Sequence, residues 1–279
     1  MSAGLDAREG AGGVARMGRV IAVVNQKGGV GKTTTTINLG AALAEKGHRV
    51  LLIDLDPQGN ASTGLGLFPG NRTTTAYELL SEEGSLAECL AGTVYENLTI
   101  VPGSGDLAGL DAELSEDPHR GQRLRQRLAV YDGDGFDTVL IDCPPSLNIL
   151  TVNAMTAADT VLVPLQCEFF ALEGLTQLLS TIKRVQQRLN PRLRIEGILL
   201  TMYDKRNNLS AEVAVDVREN LGSQVYDTII PRNVRLSEAP SHGAPVLAYD
   251  GDSTGAKAYR RLAEEMLATR AIEALEGAG

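Results

Sequence analysis

The 279-residue chain is 43% hydrophobic and 22% charged, enough apolar length to bury one large core without disulfide or metal staples. A formal net charge of −9 excludes a protein coated in positive charge, so any contact with nucleic acid has to come from a local patch. No apolar run reaches membrane-spanning length, and residues 1–18 hold no apolar segment of the secretory type, so a cytoplasmic protein is expected.

Taken in chain order, residues 1–18 read as a flexible tail, because glycine and alanine dominate and nothing among them could anchor to a core. A single domain is expected over residues 19–279. Short β-branched runs predict strands at Val20 to Asn25, Val50 to Asp54, Leu98 to Val101, Thr138 to Asp142, Thr160 to Leu165, Ile195 to Met202 and Val225 to Ile230. Several are apolar throughout, as strands covered on both faces are. Between them, helical spacing predicts a helix over Thr35 to Lys46, a stripe through Leu172, Leu175, Leu179, Ile182 and Leu189, and another through Tyr259, Leu262 and Met266. This alternation predicts an α/β fold, with a mostly parallel twisted sheet flanked by helices on both faces. The three cysteines, Cys89, Cys143 and Cys167, form no CxxC pair and are assigned to packing. His48, His119 and His242 stand too far apart to suggest a transition-metal site.

The first strand runs into Lys27-Gly28-Gly29-Val30-Gly31-Lys32-Thr33-Thr34 and then a helix, the context a phosphate-binding loop requires. Glycines let the backbone aim N–H groups at phosphate oxygens, and the helix N-terminus adds a favourable dipole. Lys32 is expected to neutralise the β- and γ-phosphates of ATP, Thr33 to ligate Mg²⁺ and Thr34 to reach the α-phosphate. A second acidic segment, Asp54-Leu55-Asp56-Pro57-Gln58-Gly59-Asn60, closes the second strand at its C-terminal end, where α/β sheets place ligands; Asp-Pro can also simply start a turn. Asp142, ending the strand before Cys143-Pro144-Pro145, reads as the Walker B acid that holds Mg²⁺ through water.

The loop departs from the usual GxxxxGK[ST] pattern, since Asn25 and Gln26 precede a second lysine, Lys27. That lysine resembles the deviant Walker A signature of the ParA/MinD family of ATPases. The likeness spans Arg19 to about Leu267, and the segments Asn25 to Gly29, Asp54 to Asn60 and Ile230 to Ser241 look like the chromosomal ParA, or Soj, branch. The resemblance implies that Lys27 reaches across an ATP-dependent sandwich dimer, that Asp56 orients the attacking water, and that Asp54 acts near Mg²⁺. It also implies that Pro231, Asn233 and Met202 contact the base; the alternative for these three is an ordinary proline turn.

Within that superfamily the cysteines lack the setting of a cluster-bearing reductase. The end, Ala271 to Gly279, is acidic and weakly apolar rather than a basic amphipathic membrane helix. Two readings stay open: a biosynthetic enzyme with a small-substrate pocket, and a DNA-segregation ATPase. In the second, an ATP-bound dimer binds double-stranded DNA without sequence preference on the nucleoid, and a ParB-like partner stimulates hydrolysis. Positive charge is concentrated in the second half, at Lys183, Arg184, Arg188, Arg192 and Arg194, then Lys205 and Arg206; Arg218, Arg232 and Arg235 are the favoured DNA contacts. Each could instead be a solvated face. Eighteen residues before the domain cannot form a helix-turn-helix, so sequence-specific recognition is not expected. Arg8, Arg16 and Arg19 could serve a partner's stimulating contact or be tail charges.

Overall fold

A computed structural model describes residues 17–81 and 84–276. Seven strands form one sheet: β1 (Arg19–Val23), β2 (Val50–Asp54), β3 (Ala91–Gly92), β4 (Leu98–Val101), β5 (Thr138–Asp142), β6 (Thr160–Gln166) and β7 (Arg194–Thr201). Their order is β3-β4-β2-β5-β1-β6-β7, and every pairing is parallel except β3 with β4. Helices cover both faces, so strand residues are buried whichever way they point; all five positions of β2 and of β5 are buried. Two core clusters result. Val20, Ala22, Leu51 and Ile53 face one, while Ile21, Val23, Val50 and Leu52 face the other, the two-residue alternation of a pleated strand. Each such valine, leucine or isoleucine contributes about 1.5–3 kcal/mol relative to exposure. Cys89, Cys143 and Cys167 are free and buried in this core.

The first helix, α1 (Lys32–Glu45), begins at Gly31, whose φ of 90° lies in the left-handed region open to glycine. It has no side-chain cap and no acid in its first turn, which leaves its leading N–H groups free for a ligand. The next, α2 (Asn60–Gly64), also starts from a left-handed glycine, Gly59. No helix among the described residues is long and apolar enough to cross a membrane.

Three expectations are corrected. Val225 to Ile230 is not a strand: it touches β7 through a bridge from Val225 to Ile198, and the N–H groups of Asp227 and Thr228 donate instead to Glu265 on the C-terminal helix Thr254–Glu276. Strand β7 stops at Thr201, because Met202 turns into the left-handed region with φ 52°. The tail assigned to residues 1–18 lies outside the described residues as far as residue 16, yet Met17 packs on the core and Gly18 donates to the Phe136 carbonyl at 2.7 Å. A side chain at Gly18 would overlap the Asp137 carbonyl, so glycine is required at that anchor. Sequence inspection also missed β3, which at two residues is too short to show any period.

Candidate active site

The C-terminal ends of β1, β2 and β5 converge on the phosphate loop. Asn25 anchors its start: Nδ2 donates to the Pro164 carbonyl at 2.7 Å and Oδ1 accepts from Lys27 N at 3.0 Å. Its far end is tied to β7, where Thr201 Oγ1 donates to the Val30 carbonyl at 2.8 Å. Gly29 and Gly31 both take positive φ, which bends the Lys27 to Thr34 backbone around a hollow. Lys32 is buried, and Nζ folds back onto the Lys27 carbonyl at 2.9 Å. Burial pulls its ammonium below the ordinary lysine value, while Asp142 pulls the other way.

Thr33 Oγ1 donates to Asp142 Oδ2 at 2.7 Å, joining the two residues expected at Mg²⁺. Thr36, one turn on and overlooked in the sequence, donates to Asp142 Oδ1 at 3.1 Å. Asp142 is fully buried; burial, then the charge of Asp54, pushes its carboxyl up to about 8. Asp54 lies beside it in register and is itself pushed up, first by burial. The Asp54 oxygens are already engaged, accepting from Ser62 Oγ at 2.6 Å, Ser62 N at 2.9 Å and Asp56 N at 3.2 Å. Asp54 therefore organises the loop into α2 and meets the Thr33–Asp142 pair through charge. Asp142 and Asp54 are adjacent buried acids, with Lys32 near the first and Arg72 near the second, and a divalent cation would fit beside them. Asp56 is 7% exposed, and its Oδ1 accepts from Gln58 N at 3.0 Å.

Lys27 Nζ pairs with Glu168 just beyond β6, a partner that no motif announced. Phe169 and Phe170 follow, 74% and 64% exposed and packed edge to face, and Phe170 lines a small hollow together with Lys27.

Beside the loop lies a cleft of about 400 Å³ that brings Gly31 and Thr34 together with Met202, Pro231 and Asn233, uniting the residues expected at phosphate and base. The hydrogen bonds of the Asn233 side chain go to neighbouring helix ends. Its Oδ1 caps the helix Val234–Glu238 by accepting from Arg235 N, and its Nδ2 donates to Thr254 Oγ1 at 2.7 Å. Tyr259, another wall of the cleft, shares a 3.2 Å hydrogen bond with Thr35 of α1.

The three arginines favoured for DNA differ in what surrounds them. Half-buried Arg218 donates to the Tyr226 and Asp227 carbonyls, and Arg235 is paired with Glu238 at 2.9 Å and Asp250 at 3.2 Å. Exposed Arg232 joins Lys205, Arg206, Lys257 and Arg261 around a larger cleft of about 960 Å³ that shares Pro231 with the base side. Lys257 and Arg261 escaped notice because they lie four apart on a helix read only for its apolar stripe. The cluster from Lys183 to Arg194 is exposed throughout its basic positions. Arg8 and Arg16 lie outside the described residues, and Arg19 pairs with Glu196 at 2.9 Å, an internal role rather than a free contact.

Sheet, loop and acids together define a P-loop nucleoside triphosphatase whose loop carries a second lysine. A family model described as an AAA domain matches residues 18–195. The chromosome partitioning protein ParA of Caulobacter vibrioides strain NA1000 is 59% identical over 250 residues, covering 89% of this chain and 94% of that protein. The sporulation initiation inhibitor protein Soj of Bacillus subtilis is 50% identical, covering 90% and 99%. Among solved structures, cobyrinic acid a,c-diamide synthase from Mycobacterium smegmatis with bound ADP and magnesium superposes with a TM-score of 0.78 at 44% identity, covering 90% of this chain and 94% of that one. The chain belongs to the ParA/Soj family of chromosome-partitioning ATPases.

Proposed function

We propose that this chain hydrolyses Mg²⁺-bound ATP to drive DNA segregation, cycling between an ATP-bound dimer on the nucleoid and a dissociated form. The observation that carries the reading is the gathering of Lys32, Thr33 and Asp142 at one end of the sheet, Thr33 bonded to Asp142 and Lys32 within reach of its charge, with Asp56 two residues beyond the neighbouring strand. The N–H groups of Gly28 to Thr34 bind the phosphates, and Lys32 neutralises them. Thr33 would hold Mg²⁺ directly and Asp142 through water, with Asp54 shaping the adjoining loop; when bound, the ion withdraws charge from the β- and γ-phosphate oxygens. Asp56 orients a water that attacks the γ-phosphorus, the bond to the β–γ bridging oxygen breaks, and ADP and phosphate leave. Catalysis is then positioning and charge stabilisation, with no covalent enzyme intermediate. Met202, Pro231 and Asn233 border the base.

Lys27 leaves Glu168 to reach the partner's phosphates, and exposed Phe169 and Phe170 beside it supply apolar surface for closure. Arg232, with Arg218 and Arg235 as further candidates, contacts DNA phosphates without reading bases, and a ParB-like protein stimulates hydrolysis. The Mycobacterium relative bears a biosynthetic name, which keeps a small-substrate enzyme as the second reading.

The deciding experiment measures binding of the purified chain to random-sequence duplex DNA in ATP, ADP and no nucleotide, at two salt concentrations. ATP-dependent, salt-sensitive and sequence-indifferent binding is expected. Absence of binding in every state, with ATPase activity intact, would favour the biosynthetic reading.

A further inference from the structure

The turn that carries Asp56 is held from behind by one guanidinium. Arg72 Nη2 donates to the Gly59 carbonyl at 2.9 Å and to Thr63 Oγ1 at 2.8 Å, Nη1 donates to the Gly103 carbonyl at 2.8 Å, and Nε donates to the Leu67 carbonyl at 2.9 Å. Gly59 in turn closes the turn, its N–H donating to the Asp56 carbonyl at 2.8 Å. On the other side, Gly103 N donates to Ser62 Oγ at 2.9 Å, and that hydroxyl donates to Asp54. A continuous hydrogen-bonded path thus runs from Asp54 through Ser62, Gly103, Arg72 and Gly59 to Asp56. Space is matched to it: a side chain at Gly59 would overlap Arg72 Nη1, and one at Gly103 would meet Asp54 Cγ at 2.9 Å.

We infer that Arg72 is a positioning residue for hydrolysis, its planar fork fixing the Asp56 to Gly59 turn against the loop after β4 so that Asp56 meets water in one geometry. This rests on the reading of Asp56 as the water-orienting residue. The fork is what matters, because three backbone carbonyls from separate loops are bound in different directions by rigidly arranged donors, and a lysine ammonium offers only a point charge. Arg72 lies outside the Lys27 to Thr34 loop, so its loss should lower turnover and leave nucleotide affinity in place.

The test compares Arg72→Ala, Arg72→Lys, Gly59→Ala and Asp56→Ala in the full chain, reading kcat, KM for ATP, affinity for a fluorescent ATP analogue, and melting temperature. Arg72→Ala is expected to lower kcat by about tenfold or more, since misplacement on the order of 1 Å can cost about a hundredfold, while KM and analogue affinity stay within about threefold. Arg72→Lys should not restore kcat, and Gly59→Ala, which pushes the fork aside, should reproduce the same split even if Arg72→Ala proves too unstable to purify. Parental kcat in Arg72→Lys and Gly59→Ala, with Asp56→Ala inactive, would overturn the assignment of Arg72 alone. Losses of kcat and analogue affinity in step with melting temperature would also overturn it, reducing Arg72 to general support. Parental kcat in Asp56→Ala would instead remove the reading of Asp56 on which the inference stands.

Discussion

The phosphate side of the nucleotide cleft and its base side are built differently. On the phosphate side Lys32, Thr33 and Asp142 bond to one another or to the loop backbone inside a buried sheet, so each is held by the group it works with. On the base side Met202 is 37% exposed at the end of an edge strand, and the amide of Asn233 is engaged with two helix starts, at Arg235 and Thr254. The difference teaches where binding energy is concentrated. Buried charges in fixed geometry favour one ligand chemistry strongly, whereas a bordering wall of loop residues supplies shape.

The largest effect expected from this contrast is at Lys32. Lys32→Ala removes the buried ammonium beside Asp142, so ATP affinity measured by fluorescent nucleotide titration should fall by about two orders of magnitude or more. A Lys32→Ala chain that still bound ATP within about tenfold of the parent would break the comparison. Next in size is Lys27→Ala. Its side chain is half exposed and paired with Glu168 rather than with the loop, so ATP affinity should change by less than about threefold while ATP-dependent dimerisation, followed by light scattering, is lost. Unchanged dimerisation would rule out that role for Lys27. The smallest effect is at Asn233. Asn233→Ala deletes a helix cap worth about 1 kcal/mol, so KM for ATP should rise only a few-fold with kcat retained. A loss as large as that at Lys32 would show that the base side carries more of the binding than its geometry supports.

Legibility in the sequence followed the same divide. The phosphate loop is contiguous, and its glycines and lysines are bound to their positions by one local turn, so its chemistry could be read from eight adjacent residues. Asp142 was equally readable because a strand end places it, and its partner Thr33, 109 residues away, follows from two strands in register. Elsewhere the deciding contacts come from distant helices and loops. Val225 to Ile230 has a strand's composition, but Glu265, 38 residues ahead of Asp227, takes the N–H groups a ladder would need. Arg72 looks like any surface arginine until three loops converge on it. Arg235 is paired with Glu238 and Asp250 while Arg232 lines a basic cleft, and nothing in a charge count distinguishes the two.

The placement of β1 inside the sheet has a consequence for synthesis on the ribosome. Val20 lies opposite Val139 of β5, and Ile21 lies opposite Thr160 of β6, so the first strand is flanked on both sides by segments made more than a hundred residues later. Parallel pairing over such separations is slow and cannot be completed locally. A nascent chain halted near residue 130 would therefore carry the whole phosphate loop with neither of β1's neighbours yet translated. Nucleotide can assist only the last stage of folding, and in the cell the emerging N-terminal half has to wait, shielded or exposed, for the rest of its own sheet.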